Sequence, residues 1–301
     1  MNYVFPYINP DTDGVCASIA YSWLYPTFKP VIFGNFDKES LFVLTYFHVD
    51  LPKKVQKIGQ KSKIALVDTH HIVQLPEINL LNVVEVIDHH PAGDSDKLIN
   101  AKVQNEEVGS ACTLLVERIK QEEKIPPSHI AGLLSLAIVS NTLNFTAPST
   151  SKRDKDALVW LKALVPITDE LILGMFKARS EISNIDTFDL LLSNNKIFEI
   201  EDYKVGLIQL ELVEVEGLIS RTDFIDSIIN VKNKKGADFI IFSGVDILNH
   251  KTFIIVPEDE GRKLITNAMN INFLNNSAVV NRILLRKTDF VPQIQQYLKN
   301  K

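Results

Sequence analysis

The sequence predicts an α/β protein with a doubly wound parallel sheet in its N-terminal part and a second, smaller α/β domain after it. Two observations lead to this prediction. Short runs rich in Val and Ile, typical of strands buried on both faces, alternate with helical patterns. Several of these runs also end in an aspartate, and ligands of doubly wound sheets bind at the carboxyl ends of the strands.

The length and composition fit two domains of ordinary size. The chain has 301 residues, of which 46% are apolar, enough for a sizeable core. Its 32 Lys and Arg against 37 Asp and Glu give a formal charge of −5, which argues against a protein that binds duplex nucleic acid. We expect the first domain to cover residues 1–187 and the second to cover residues 188–301.

The first domain is predicted from strands that each lead into acidic residues and from the helices between them. The strand predictions are VFPYI before NPDTD, KIALVD before THH, and NVVEVID before HHP. The helix predictions are GVCASIAYSWL, SACTLLVERIKQEEK with Ser110 as its cap, and SHIAGLLSLAIVSNTL.

The second domain is predicted to begin at the polar segment LSNNKIFEIEDYK. A strand over YKVGLIQLELVEV and a helix over FIDSIINVKNKK, ended by Gly236, follow it. Two apolar runs around Asn249 and His250 predict a hairpin, and GRKLITNAMNI and VPQIQQYLKNK predict two further helices.

Other sequence features narrow the class of protein. Cys16 and Cys112 lie among small and apolar residues outside any CxxC pattern, which predicts buried thiols of a reducing compartment, the cytoplasm. A secretory signal is not apparent, and the longest apolar stretch is too short and polar to span a bilayer, so no membrane partner is expected. The GxGxxG and GxxxxGK[ST] patterns do not occur, so neither type of nucleotide site has support.

The acidic strand ends are ambiguous singly and informative together. NPDTDG by itself favours a plain turn whose aspartate caps the next helix, and ALVDTHH is equally open to a structural interpretation. IDHHP is different, because an acid and two imidazoles after a buried strand are costly to desolvate without a partner. Three such strand ends in one sheet favour a metal site with more than one ion.

These motifs resemble those of a known family. NPDTD, LVD and DHH resemble the ordered motifs of the DHH phosphoesterase superfamily, and SLAIVSNTLNFTAPSTSKRD resembles its fourth motif. NKIF and RKTDFVP resemble the basic motifs of the DHHA2-type C-terminal domain, which implies a mixed sheet there. The pairing resembles family II inorganic pyrophosphatases, the manganese-dependent type.

The resemblance implies a metal-dependent hydrolase of phosphoanhydride bonds, which hydrolyses pyrophosphate with a metal-activated hydroxide in a cleft between the domains. It implies one or two divalent ions, Mn²⁺ or alternatively Mg²⁺ or Co²⁺, and a homodimer formed through the N-terminal domain. Asp68 matches the acid that bridges two metals, and Asp88 is expected to orient the neighbouring imidazole. The residues that match metal ligands are Asp11, Asp13, Asp68, His89 and, through its carbonyl oxygen, Asn141. The residues that match phosphate-binding positions are His90, Lys196, Arg286 and Lys287.

Three positions depart from the family pattern. Tyr7 stands where the family has the histidine of H-x-N-P-D, Asn141 stands where it has an aspartate before Thr-Leu, and Thr69 follows Asp68 where it has a histidine. We expect weaker cation binding, because affinity for hard cations rises with the number of charged oxygen ligands. We interpret His70 and His71 as exposed loop residues, with the alternative that one of them replaces the missing imidazole.

These departures leave two alternatives to pyrophosphate hydrolysis open. One is an enzyme for short polyphosphate or a nucleotide-derived phosphoester. The other is a catalytically impaired protein that binds phosphate compounds without turnover.

Overall fold

The computed structural model describes residues 1–91 and 93–300, and it divides into two compact units. The first unit is Met1–Ala178, and the second begins at Arg179. The sequence placed the boundary later, after residue 187. The units divide earlier because the Arg179 guanidinium pairs with Glu211, and the Ser180 hydroxyl accepts a hydrogen bond from the Val213 N–H at 2.7 Å.

The N-terminal unit contains a six-stranded sheet in which all strands are parallel, as the sequence predicted. The central strands are buried on both faces, which explains their unbroken apolar sequences. The strands are β1 Asn2–Phe5, β2 Phe28–Ile32, β3 Lys53–Lys54, β4 Ile64–Val67, β5 Val83–Asp88 and β6 Lys102–Asn105.

Two helices of this unit begin where the sequence indicated caps. The Asp11 side chain accepts a hydrogen bond from the Gly14 N–H at 3.1 Å, and Ser110 accepts one from the Cys112 N–H at 3.1 Å. The helices are α1 Thr12–Leu24, α2 Lys38–Tyr46, α3 Ala111–Gln121, α4 Ser128–Asn141, α5 Lys152–Lys162 and α6 Asp169–Arg179.

The order of the strands creates a crevice beside β1. The sheet runs β3-β2-β1-β4-β5-β6, so the chain proceeds to one side of β1 and later returns to its other side. Ligands of doubly wound sheets bind at such a reversal, at the carboxyl ends of the strands. Asp11 follows β1 and Asp68 directly follows β4, so this topology brings the two acids to the same edge.

A buried aspartate on α5 fastens the loop between β6 and α3. The Asp154 carboxylate accepts hydrogen bonds from the Gly109 N–H at 2.9 Å, the Thr113 hydroxyl at 2.6 Å and the Ser151 N–H at 2.7 Å. This carboxylate is completely buried, so its partners depend on it for their hydrogen bonds.

The C-terminal unit contains a five-stranded mixed sheet in the order β11-β10-β9-β8-β7. β8 and β9 are parallel, and the other neighbouring pairs are antiparallel. The strands are β7 Asn195–Ile200, β8 Tyr203–Leu212, β9 Phe239–Asp246, β10 Lys251–Ile255 and β11 Ser277–Val280. The helices are α7 Thr187–Ser193, α8 Glu216–Ile219, α9 Phe224–Lys235, α10 Asp259–Met269 and α11 Val291–Lys299.

The predicted hairpin and helices of this unit are confirmed. β9 and β10 form the hairpin around Asn249 and His250, and α9 ends at Gly236, which adopts a φ of 62°. The interpretation of LSNNKIFEIEDYK as a polar entrance was wrong for its centre, which forms the edge strand β7. β7 is only partly buried, so it lacks the continuous apolar run by which the inner strands were recognised.

The cysteine prediction and the membrane prediction can also be compared with the structure. Cys16 and Cys112 are free and buried, and burial raises the pKa of both thiols. Across residues 1–91 and 93–300, every helix is too short or too polar to cross a bilayer.

We predict that Asp154→Ala lowers the free energy of unfolding by about 3 kcal/mol, because several buried donors lose their acceptor at once. Urea denaturation followed by circular dichroism measures the change. Asp156→Ala is the matched control: Asp156 lies on the same helix, is exposed and pairs only with the exposed Lys152 among the contacts described. The control should change stability by less than about 0.5 kcal/mol. Equal losses in the two variants would contradict the role given to Asp154.

Candidate metal centre

Asp68 is the most exceptional side chain at the carboxyl edge of the sheet. It is 1% exposed and has a φ of 59°, a left-handed conformation that aspartate tolerates better than most residues. Within residues 1–91 and 93–300, neither of its carboxylate oxygens has a hydrogen-bond partner. A buried carboxylate in this state needs a cation or a proton, because desolvation penalises the bare charge.

The electrostatics of Asp68 agree with its burial. Desolvation raises its pKa well above the usual aspartate value, and the nearby charges of Asp11 and Asp13 raise it further. The neighbouring acids therefore make the same site favourable for a divalent cation, whose charge would offset theirs. Carboxylate oxygens with an imidazole nitrogen are ligands that suit Mn²⁺ and Mg²⁺.

His89 directs a ring nitrogen at these acids. Its Nδ1 lies 2.9 Å from the Val108 carbonyl oxygen, which can only accept, so Nδ1 carries the proton that forms this bond. In the neutral ring Nε2 then presents its lone pair. Nε2 lies 3.2 Å from Asp68 Oδ1 and 3.9 Å from Asp13 Oδ2, which is the arrangement of a metal-binding histidine held by a backbone carbonyl.

Asp88 fixes the neighbouring imidazoles. Its Oδ1 accepts hydrogen bonds from His90 Nδ1 at 2.8 Å and from the His89 N–H at 2.7 Å, and its Oδ2 pairs with His70 Nδ1. Burial raises the pKa of Asp88, but the hydrogen bonds from His90 and His70 outweigh burial and lower the pKa to about 2. Ligand atoms of Asp68, Asp88, His89 and His90 all lie within 4.8 Å of one another.

His70 was wrongly expected to be an exposed loop residue. It is 2% exposed, and its ring pairs with Asp88 behind the other histidines. Gly93 allows this position, since a Cβ there would lie 2.1 Å from His70 Nε2. The sequence signal was the pair of adjacent histidines that follows both LVD and VID. Neighbouring parallel strands bring such pairs to the same edge of the sheet.

Asp13 is buried under the N-terminus of α3. Its Oδ1 accepts hydrogen bonds from the Ser110 hydroxyl at 2.7 Å and the Cys112 N–H at 3.1 Å. Its Oδ2 accepts from the Ala111 N–H at 2.8 Å and from Asn141 Nδ2 at 3.1 Å. The two predicted ligands Asp13 and Asn141 are therefore in direct contact.

Tyr7 lies beside Asp11, on the side where the family pattern has a histidine. Its hydroxyl oxygen accepts a hydrogen bond from the Asp11 N–H at 3.1 Å. Burial raises the pKa of the Tyr7 phenol, and the charges of Asp11 and Asp68 raise it further. The phenol therefore stays protonated at neutral pH, and its O–H can donate a hydrogen bond to an acceptor.

Glu39 supports this region from α2 and was not recognised from the sequence. The buried carboxylate accepts hydrogen bonds from the Thr12 hydroxyl at 2.9 Å and the Ser140 hydroxyl at 2.8 Å. Thr12 separates Asp11 from Asp13, and Ser140 precedes Asn141. A lone glutamate in a polar helix start gives no sequence signal of burial.

Three predicted cationic residues meet in the C-terminal unit. Arg286 donates from its guanidinium to the Asn194 carbonyl at 2.9 Å and from its backbone N–H to Gln209 Oε1 at 2.5 Å. These bonds hold Arg286 against the beginning of β7, where Lys196 is the second residue. The pKa of Lys196 is lowered to about 8, first because the ammonium group loses solvation and then because the positive charges of Arg286 and Lys287 lie nearby.

Comparison with known proteins identifies both parts of the chain. The model of the DHH family N-terminal domain matches residues 2–138, and the model of the DHHA2 domain matches residues 173–297. A Clostridium acetobutylicum protein named "Probable manganese-dependent inorganic pyrophosphatase" is 29% identical over 309 residues, covering 99% of this chain and 98% of that protein. A Listeria monocytogenes protein of the same name is 30% identical over 298 residues, covering 96% of each chain.

A solved structure has the same fold. The crystal structure of a Methanococcus jannaschii "putative family II inorganic pyrophosphatase" superposes with a TM-score of 0.77 and 25% identity, covering 99% of this chain and 100% of that one.

We predict that Asp68→Asn stabilises the metal-free protein by about 1–3 kcal/mol at pH 8, because it removes a buried charge without changing shape. The raised pKa gives the sign of the pH dependence. The folded protein binds this proton more tightly than the unfolded chain, so native stability falls as pH rises from the usual aspartate range through the raised pKa. The variant should lack this fall.

Urea denaturation of chelator-treated protein at pH 5 and pH 8 measures both effects. Asp50→Asn, at an exposed position, is the matched control and should leave stability almost unchanged. A destabilised Asp68→Asn protein at pH 8 would contradict the interpretation of Asp68 as an uncompensated charge.

Proposed function

Because this chain belongs to the family of manganese-dependent inorganic pyrophosphatases built from DHH and DHHA2 domains, we propose that it hydrolyses inorganic pyrophosphate to two phosphates. The observation that supports this most directly is the buried Asp68 carboxylate, which lacks hydrogen-bond partners in the described chain and faces His89 Nε2. The relatives align over nearly the whole chain, so both parts of such an enzyme are present.

Asp11, Asp68 and His89 would hold the divalent cation. The motif also matches Asp13 to a metal ligand, but in this chain four hydrogen-bond donors already reach its carboxylate. Mn²⁺ is the proposed ion, since the relatives are named manganese-dependent, with Mg²⁺ and Co²⁺ as alternatives. Such an ion, when bound, lowers the pKa of water and neutralises charge on phosphate oxygens.

The remaining residues orient the substrate and neutralise its charge. Asp88 holds the Nδ1–H of His90, so the other ring nitrogen of this partly exposed histidine is available to a phosphate oxygen. Lys196, Arg286 and Lys287 supply positive charge for the phosphate groups, and charged donors bind phosphate more strongly than neutral ones.

Phosphate release from pyrophosphate by the full-length protein, with Mn²⁺, Mg²⁺ or Co²⁺, tests the function. We expect turnover that is abolished by a chelator and reduced at least about a thousandfold by Asp68→Ala. Asp50→Ala is the matched surface control. Phosphate release from none of pyrophosphate, tripolyphosphate or simple phosphodiesters would contradict the proposal.

Two other outcomes of this assay would identify the alternatives that Tyr7 and Asn141 raise. A preference for tripolyphosphate or a phosphodiester over pyrophosphate would identify a related phosphoesterase. Calorimetric binding of pyrophosphate without turnover would identify a catalytically impaired relative.

We predict that the KM for pyrophosphate rises by about threefold to tenfold between pH 7 and pH 9, because Lys196, with its pKa of about 8, loses its charge. Lys196→Arg keeps its charge over this range, so its KM should vary less with pH. Lys204→Arg, at an exposed position of β8, should show the native profile. Parallel profiles for all three proteins would contradict the role given to Lys196.

We further propose that the protein is cytoplasmic and forms a homodimer through its N-terminal unit. The free buried thiols suit a reducing compartment. β6 is the last strand of the six-stranded sheet and is mostly exposed, so its edge is suited to pairing with a second copy.

A further inference from the structure

We propose that the side-chain amide of Asn141 takes the place of a second divalent cation, so that this chain binds only one ion tightly, at Asp68. The inference rests on the metal dependence in the proposed function. It concerns Asn141, a position at which this chain departs from the family pattern. It also concerns the number of bound ions, which the family assignment does not give for this chain.

The first step is that Asp13 is already saturated by hydrogen bonds. Four donors reach its two oxygens: the Ser110 hydroxyl, the Ala111 and Cys112 N–H groups, and Asn141 Nδ2. A carboxylate accepts about four hydrogen bonds in favourable directions, so each lone pair of Asp13 is engaged. A cation would have to displace one of these donors to bind Asp13.

The second step is that the neighbours of Asn141 determine which way its amide points. Nδ2 lies 2.9 Å from the Gly109 carbonyl oxygen, 3.1 Å from Asp13 Oδ2 and 3.3 Å from His89 Nε2. Because the Gly109 oxygen and the Asp13 carboxylate can only accept, the opposite orientation would set oxygen against oxygen twice. The amide nitrogen, with its two protons, must therefore face this group.

The third step compares the amide with a cation. Acceptors that converge on one point form the kind of environment in which a metal ion binds. Here the two amide protons go to the two nearer acceptors, the Gly109 oxygen and Asp13 Oδ2, which leaves His89 Nε2 for the cation at Asp68. An aspartate at position 141 would bring a carboxylate against Asp13 and the Gly109 carbonyl, an arrangement that needs a cation. Asparagine removes a negative charge and supplies donors, so the requirement for that cation disappears.

The fourth step concerns the ion that remains. Unlike Asp13, Asp68 receives no hydrogen bond from the residues that the structure describes, although both of its oxygens are buried. His89 Nε2 lies 3.2 Å from Asp68 Oδ1, so a ligand nitrogen faces this carboxylate. One cation at Asp68 would neutralise this carboxylate. The acceptors of Gly109 and Asp13 need no cation, because the amide protons of Asn141 already reach them.

Counting bound Mn²⁺ in the full-length protein tests the proposal. The protein is equilibrated with micromolar Mn²⁺ by dialysis, and retained manganese per chain is measured by atomic absorption. We expect one ion for the native protein and two for Asn141→Asp, a twofold increase. Asn144→Asp is the matched control, because it makes the same charge change at an exposed position three residues later and should retain one ion. Circular dichroism confirms that each variant is folded.

The outcomes separate this inference from the proposed function. Two tightly bound ions in the native protein, with phosphate release from pyrophosphate, would overturn the inference alone. A folded Asn141→Asp variant that still retains one ion would also overturn it, as would a second ion in Asn144→Asp. No bound manganese and no phosphate release in the native protein would overturn the proposed function together with the inference. If Asn141→Asp does not fold, the native count decides, with one ion in favour and two against.

Discussion

The N-terminal site depends on one costly arrangement at the carboxyl end of β4, a buried aspartate whose carboxylate receives no hydrogen bond from residues 1–91 and 93–300. A carboxylate in this state is unfavourable in any protein unless something positive compensates it. The surrounding structure maintains the arrangement: parallel strands bury Asp68, and the reversal of strand order brings the acids after β1 alongside it. The folded protein is thus less stable than it would be with asparagine in place of Asp68. Such a loss of stability is common at sites that bind ligands.

The other groups at the site differ from Asp68 in being well bonded. Asp88 is surrounded by imidazole and backbone donors, which keep it ionised and hold His90 and His70 in place. Asp13 is tied to the beginning of α3. The aspartates of this site therefore differ in role, and their hydrogen bonds show the difference. The Asp68 carboxylate is available to a ligand, whereas Asp88 and Asp13 hold the surrounding groups in place.

Much of this could be predicted from the sequence, for identifiable physical reasons. Strands buried on both faces have continuous apolar runs, so β4 and β5 were recognisable, and their terminal aspartates indicated the site. β7 could not be recognised because partial burial gave it a mixed pattern. Glu39 and His70 were missed because their burial follows from packing against residues far away in the chain, which no local pattern records.

The polar contacts of the site join distant parts of the chain, and this has a consequence for how the protein folds. Asp13 and Asn141 are 128 positions apart, and Gly109 is held by Asp154, 45 positions later. Contacts of such long sequence separation form slowly, since loop closure precedes any gain from them. During synthesis the aspartates after β1 and β4 emerge long before α4 and α5. The growing chain therefore acquires the completed acidic pocket only near the end of its first unit.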